Sequence, residues 1–142
     1  MPHQVSVFAE NKPGKIARIT EVLSKNNISI RAITISSSGD YGIIKLLLDK
    51  PVEANECLKK EGIASTLKDI VAISIDDTTG GFHKVASLLS GRNINIEDAY
   101  GFSVYEKNLA IFIFQVDDIP MTEKILKEAG YSIITDRELY CL

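Results

Sequence analysis

The sequence predicts an α+β protein built from two tandem βαββαβ units. The chain repeats itself, and each copy alternates strand-like with helix-like hydrophobic patterns. A shift of 66 residues lays Val5–Ile30 over Val71–Ile96, and a shift of 68 lays Leu58 over Leu126. The identical positions are Val5/Val71, Gly14/Gly80, Leu23/Leu89, Ser24/Ser90, Asn27/Asn93, Ile28/Ile94 and Ile30/Ile96, followed by Leu58/Leu126 and Gly62/Gly130.

Each copy gives the same order of elements. The first is predicted as strand Gln4–Ala9, helix Pro13–Lys25, strand Ile28–Ser36, strand Tyr41–Leu48, a helix from Pro51 and strand Ile63–Leu67. The second is predicted as strand Ile70–Ile75, helix Gly80–Ser90, strand Ile94–Val104, strand Leu109–Val116, helix Pro120–Ala129 and a strand near Tyr131–Thr135. This order is the split βαβ, ferredoxin-like motif. Because the linker is only Lys68-Asp69, we expect domains at 1–68 and 69–142 to pack together.

Composition excludes several functional classes. The formal net charge is −3 and the pI about 5.4, which argues against binding nucleic acid or acidic membranes. The N-terminus has no signal-peptide pattern and no apolar run could span a bilayer. Two distant cysteines fit a reducing cytoplasm, and with two histidines a metal site is not expected. No cofactor is implied.

Two predicted strands are nearly continuous apolar runs, Ile43–Leu48 and Leu109–Phe114. A sheet with helices on one face needs only every second residue apolar, so these runs indicate that both faces are covered. A second copy of the chain would cover the other face, which favours a homodimer. The alternative is that both strands are simply long and central.

The turn Glu10–Ile16 is the strongest candidate for a site. Pro13 suits the first position of a helix, and Gly14 leaves the backbone open to a docked molecule. A helix start favours a carboxylate or phosphate, and Asn11 can both donate and accept hydrogen bonds. The alternative is that Asn11 only caps the helix.

With this turn and Asn27-Ile28-Ser29-Ile30 after it, the whole chain resembles the ACT domain family, and most closely stand-alone proteins of two ACT domains. The resemblance implies regulatory modules that sense amino acids, with two units side by side in a pseudo-symmetric eight-stranded sheet and the helices on one face. It implies ligands at the interface of the units, each held by one unit's turn and the other's second strand. The expected pairs are Asn11 with Asn95 and Asp77 with Ser29.

The resemblance therefore predicts an asymmetric pair of sites. The second turn, from Asp77 to Phe82, lacks the proline, and Asp77 either pairs with an ammonium group or only caps the helix. The first site is expected to be the stronger. The predicted ligand-binding residues are Asn11, Lys12, Pro13, Gly14, Lys15, Ile16, Ser29, Asp77, Thr78, Thr79, Gly80, Gly81, Phe82, Ile94 and Asn95.

Three other functions compete. An enzyme would need a nucleophile with a base, a carboxylate pair in a cleft or a metal, whereas Asp76-Asp77 and Asp117-Asp118 stand at element boundaries and are expected to cap helices. An RNA-binding sheet would need basic residues around Phe112 and Phe114. The chain could also be a regulatory subunit of an enzyme of amino-acid metabolism without its own ligand, since its first 35 residues resemble the regulatory subunit of acetolactate synthase. The sequence identifies neither the amino acid nor the enzyme.

Overall fold

The computed structural model describes residues 2–141, which divide into two compact units. The N-terminal unit contains residues 3–68 together with Tyr140 and Cys141. The C-terminal unit contains residues 69–139 together with Pro2. Each unit has the βαββαβ order of elements, so the α+β, ferredoxin-like fold class is confirmed.

Fourteen elements follow one another within the described residues, 2–141. In the N-terminal half they are β1 His3–Glu10, α1 Lys15–Lys25, β2 Ile30–Ser38, β3 Tyr41–Leu48, α2 Pro51–Lys60 and β4 Ala64–Asp69. In the C-terminal half they are β5 Val71–Asp76, α3 Gly81–Gly91, β6 Ile96–Val104, a 3-10 helix Tyr105–Lys107, β7 Leu109–Val116, α4 Ile119–Glu128, β8 Ser132–Ile133 and α5 Asp136–Tyr140.

The strands form two four-stranded sheets, ordered β2-β3-β1-β4 and β6-β7-β5-β8. In each sheet the third strand of the unit is central and pairs antiparallel with the first and second strands. The hydrogen-bonded sheets have four strands each rather than eight, so an eight-stranded sheet remains a prediction about how the units combine.

Each unit buries one face of its sheet under its helices. In the N-terminal unit, alternate strand residues such as Val5, Val7 and Leu46 pack against Leu23 of α1 and Leu58 of α2. The C-terminal unit repeats this arrangement, with strand residues packed against side chains of α3 and α4. Side chains on one face recur every second residue in a strand and about every 3.6 residues in a helix. The apolar pattern of the sequence follows these periods, which is why it located both cores.

The two apolar strand runs differ in their burial. Ile111 and Ile113 of β7 are 2% and 1% exposed within the single chain, so this run needs no second copy to cover it. The expectation that a second chain covers it is wrong, because the chain itself buries these side chains. In the N-terminal unit Ile43 is 44% exposed, beside Phe8 and Tyr41 at 55% and 50%. The argument for a partner therefore rests on the N-terminal unit.

The first helix begins two residues later than predicted. Gly14 has φ +92° and ψ −17°, and the Lys15 N–H donates to the Lys12 carbonyl at 3.4 Å. These are features of a type II turn, in which Pro13 holds the second position and glycine the third. Pro13 therefore lies in the turn before the helix. The sequence placed it at the first helical position because the fixed φ of proline suits both positions.

The C-terminal unit forms the corresponding turn without proline. Gly80 has φ +84° and ψ −1°, and the Gly81 N–H donates to the Thr78 carbonyl at 3.2 Å. The glycine that both turns share is therefore their essential residue, since residues with a Cβ adopt this φ only with strain.

The end of the chain departs most from expectation. The last strand is only Ser132–Ile133, shorter than the predicted segment near Tyr131–Thr135, and the helix Asp136–Tyr140 was not predicted. Thr135 forms this helix start with Glu138, whose carboxylate accepts from the Thr135 N–H at 2.9 Å and from its hydroxyl at 3.1 Å. Five residues are too few to show a helical period.

No helix within residues 2–141 combines the length and the apolar character needed to cross a membrane.

We expect Gly14→Ala to lower the free energy of unfolding by about 1–2 kcal/mol, because alanine is strained at this φ. The matched control is Gly91→Ala, in α3 at a position with open space around it and no positive φ. That change should stabilise the protein by about 0.4–1 kcal/mol. Urea unfolding followed by far-UV circular dichroism measures both. Equal effects of the two changes would contradict the assignment of the turn.

Candidate functional site

Asn11 connects the β1–α1 turn to the hairpin between β2 and β3. Its N–H donates to the Asp40 carbonyl at 2.7 Å, and its Nδ2 donates to the Gly39 carbonyl at 3.1 Å. The cap residue of α1 is Gly14, which makes no side-chain cap, so the interpretation of Asn11 as a helix cap is wrong. An amide has two N–H donors and an acceptor oxygen, so this bond leaves one N–H and the oxygen for another partner.

A small cavity of about 50 Å³ lies beside this turn. Four predicted site residues line it: Asn11, Lys12, Lys15 and Ile16. Pro13 and Gly14 form the exposed turn next to it. The structure also contributes six lining residues that were not predicted, Ala9, Glu10, Ile35, Ser37, Gly42 and Ile44.

Charges of both signs meet at this cavity. The Lys12 Nζ lies 3.1 Å from Glu10 Oε2, and the Lys15 Nζ lies 3.8 Å from Glu10 Oε1. The hydrogen bond from Lys12 lowers the pKa of Glu10 from its ordinary value, and the positive charges of Lys12 and Lys15 lower it further. Glu10 is therefore ionised at neutral pH, and the site offers two ammonium groups and one carboxylate to a ligand.

The predicted partner residues of the second strands lie just before those strands. The Ser29 N–H donates to Asp49 Oδ1 at 2.8 Å, and the Asp49 N–H returns a bond to the Ser29 carbonyl at 3.2 Å. Ser29 also lines an open depression of about 340 Å³ at the end of α1. Asn95 is exposed, whereas Ile94 is buried in the core of its unit. The pairs Asn11–Asn95 and Asp77–Ser29 join residues of different units and remain predictions.

The second turn is held in the same way as the first but by other groups. The Asp77 N–H donates to the Asn108 carbonyl at 3.3 Å, and the Asp77 carboxylate accepts from the Ser103 hydroxyl at 3.3 Å. The cap residue of α3 is Gly80, so the expectation that Asp77 caps this helix is wrong. Of the acidic pairs, Asp118 does cap a helix, since its carboxylate accepts from the Met121 N–H at 3.0 Å.

The rest of the second turn also differs from the first. Thr78 and Thr79 are exposed where the first turn has Lys12 and Pro13. The ring of Phe82 lies 5.0 Å from Phe112 and 5.9 Å from Phe114, between ring centroids. A Cβ on Gly81 would approach Cδ1 of Ile75 to 2.9 Å, so a side chain here would require the end of the Ile75 side chain to shift.

The unpredicted lining residues come from two sources. Ala9 and Glu10 directly precede the motif, and the charge pattern Glu10-Asn11-Lys12 was a local signal for the ion cluster. Ile35, Gly42 and Ile44 come from β2 and β3, which are adjacent only after the sheet forms. No local pattern identifies them. Within residues 2–141 no group of three or more His, Cys, Asp and Glu side chains could hold a metal ion.

Comparison with known proteins places this geometry in context. The family model described as an ACT domain pair matches residues 1–142. A crystal structure of protein BT0572 from Bacteroides thetaiotaomicron shares 32% identity and a TM-score of 0.93, over 99% of this chain and 96% of that one. A search of curated proteins finds no match.

Two further structures share the fold at low identity. The ligand-free regulatory subunit of aspartate kinase from Thermus thermophilus is 18% identical with a TM-score of 0.68, covering 91% of this chain and 93% of that one. A structure of aspartokinase alpha and beta subunits is 17% identical with a TM-score of 0.61, covering 89% of this chain and 90% of that one. At this level of identity, the two similarities show a shared fold and nothing more.

We expect Lys12→Ala to raise the pKa of Glu10 towards its ordinary value, because the hydrogen bond from Lys12 is the largest cause of the lowered pKa. The folded-state pKa of Glu10 lies below the unfolded one. Its stabilising contribution is therefore present above the unfolded pKa and is lost as pH falls through the folded one. NMR titration of the Glu10 carboxyl carbon measures the pKa. The control is Lys25→Ala, which should shift only Glu21, its partner at 2.8 Å.

Proposed function

This chain belongs to the family of ACT domain pairs, and from that membership and the geometry of the first turn we propose that it is a regulatory module that binds a free amino acid. Binding would be non-catalytic, with a regulatory consequence. The supporting observation is the cavity beside Asn11, where an amide, two ammonium groups and a carboxylate surround one small space.

The groups at this cavity match the polar head of an amino acid. Gly14 has no side-chain oxygen to offer to the first-turn amides of α1, and the positive end of the helix dipole lies there, so a ligand carboxylate is favoured. Lys12 and Lys15 add positive charge for the same carboxylate. The Asn11 oxygen and the Glu10 carboxylate can accept from the ligand ammonium.

The size of the cavity limits what it can hold. About 50 Å³ is far below the ~300–1,000 Å³ of pockets that enclose a drug-sized ligand. It fits the head group of an amino acid but not a large side chain. We therefore propose that a second element completes the site, and Asn95, the partner predicted from the resemblance, is the candidate.

The weaker, second site would be built on Asp77 and Ser29. Asp77 is already hydrogen-bonded to Ser103. Phe82, which corresponds to Ile16 in the repeat, packs on the phenylalanine rings of β7, whereas Ile16 lines the first cavity. The second turn has no lysine at the positions of Lys12 and Lys15, so it lacks the charge that attracts a carboxylate. We propose that the Asn11 site determines the affinity.

Regulation would follow from the stiffening of the units by the bound amino acid. The exposed Ile33 and Ile43 side chains of β2 and β3 support a homodimer, and a metabolic enzyme is the natural recipient of the signal. A regulatory subunit without its own ligand is the second candidate function. It is supported by the family assignment alone.

A thermal-shift screen against the twenty amino acids tests the proposal. A ligand present at about 100–1,000 times its Kd should stabilise the protein by about 2.7–4.1 kcal/mol, because it binds only the native state. We expect at least one hit that Asn11→Ala abolishes. The control, Lys60→Ala, changes an exposed residue of α2 and should leave the shift unchanged.

The same screen separates the sites and the candidate functions. Asn95→Ala should weaken binding about as much as Asn11→Ala, whereas Asp77→Ala should have a smaller effect. The absence of a thermal shift with all twenty amino acids would contradict amino-acid sensing. If no hit is lost in Asn11→Ala, the binding site lies elsewhere.

A further inference from the structure

The N-terminal unit contains a second, larger cavity on another side of α1. The Asn11 cavity lies towards β2 and β3, whereas this one lies where α2 ends and β4 begins, beside the end of β1. Its volume is about 280 Å³, just below the range typical of drug-sized ligands. It is therefore large enough to accommodate a small metabolite.

An aromatic pair forms one wall of this cavity. The rings of Phe8 and Tyr41 are stacked, with centroids 5.1 Å apart and planes 9° from parallel. Both side chains are about half exposed, so a ring face is open to a ligand. Ile19, which is buried, and Ile63 add apolar surface to the lining. These groups fit a flat apolar ring.

A positioned cation and a carboxylate lie in the same lining. Arg18 Nη2 donates to the Glu61 carbonyl at 3.1 Å and lies 3.6 Å from Glu61 Oε2. The second distance exceeds that of a charge-assisted hydrogen bond, so the carboxylate is held near the arginine but can still accept from another donor. A guanidinium has five N–H groups, so Arg18 retains donors for a ligand carboxylate.

The internal repeat shows that this combination is specific to the N-terminal unit. By the same registers, Phe8 corresponds to Ser74, Tyr41 to Leu109 and Glu61 to Ala129. The aromatic pair and the carboxylate are thus missing at the corresponding places, although the backbone order is the same. The fold alone does not require these side chains.

We propose that this cavity binds a free aromatic amino acid, at a site distinct from the Asn11 cavity. The ligand carboxylate is held by the Arg18 guanidinium, the ammonium group by the Glu61 carboxylate, and the ring lies against Phe8 and Tyr41. Arg18 Nη2 and Glu61 Oε2 are 3.6 Å apart. This short distance suits an α-amino acid, whose ammonium and carboxylate groups are bonded to the same carbon atom.

Titration of ¹⁵N-labelled protein with L-phenylalanine, followed by amide chemical shifts, tests this site. We expect saturable shifts at Phe8, Arg18 and Ala64, which line the cavity. L-Alanine lacks the ring, 3-phenylpropanoate the ammonium group and 2-phenylethylamine the carboxylate. Each should bind at least about tenfold more weakly, equivalent to 1.4 kcal/mol.

Two variants replace cavity residues by their counterparts in the repeat, Tyr41→Leu and Glu61→Ala. Both residues are exposed, so the fold should persist, and the unperturbed amide spectrum checks this. Each should weaken L-phenylalanine binding at least about tenfold. The control, Glu53→Ala, changes an exposed residue of α2 outside the lining and should leave binding unchanged. The proposal is overturned if the cavity amides do not shift up to about 10 mM, well above the ~1 mM Kd of a weak site. Binding by Tyr41→Leu and Glu61→Ala as tight as by the unchanged protein, or an equal loss of binding in Glu53→Ala, also overturns it.

Discussion

A glycine in the left-handed region at the end of the first strand determines the geometry of the N-terminal unit's candidate site. With Gly14 at φ +92°, the chain reverses in a type II turn, and α1 can begin only at Lys15. The glycine also leaves the helix start without a side-chain cap, so the amides there remain available. The residue that makes the turn possible is thus the one that keeps the site open.

The rest of the turn is fixed by a distant part of the chain. Asn11 donates hydrogen bonds to the hairpin between β2 and β3, where Gly39 lies 28 residues further along the chain. The hairpin in turn is held by the antiparallel register of β2 and β3. The position of Asn11 therefore depends on the sheet as a whole, and the site forms only when the unit is folded.

The sequence predicted the fold more completely than the site, for physical reasons. The repeat and the two hydrophobic periods located the major helices and strands. Several identities mark backbone constraints: Gly14, Gly80, Asn27 and Asn93 all have positive φ. The helix start was misplaced because proline fits equally well at the first helical position and in a type II turn.

The candidate site was predicted only as far as it is local in sequence. Asn11, Lys12, Lys15 and Ile16 lie within one turn and were found together in one cavity. The residues from β2 and β3 were missed because strand pairing, not sequence proximity, brings them there. The aromatic wall of the larger cavity combines β1 and β3 for the same reason.

The two cavities of the N-terminal unit share part of their lining, Ala9, Glu10 and Lys15. Glu10 and Lys15 belong to one ion cluster that lines both cavities, so a carboxylate bound in the Asn11 cavity would change the electrostatic potential in the larger one. Two ligands bound to this unit would then affect each other's affinity, and by thermodynamic linkage equally in both directions. The C-terminal unit has Asp76 and Gly81 at these two positions, and glycine carries no charge to share. Such coupling would therefore be a property of the N-terminal unit.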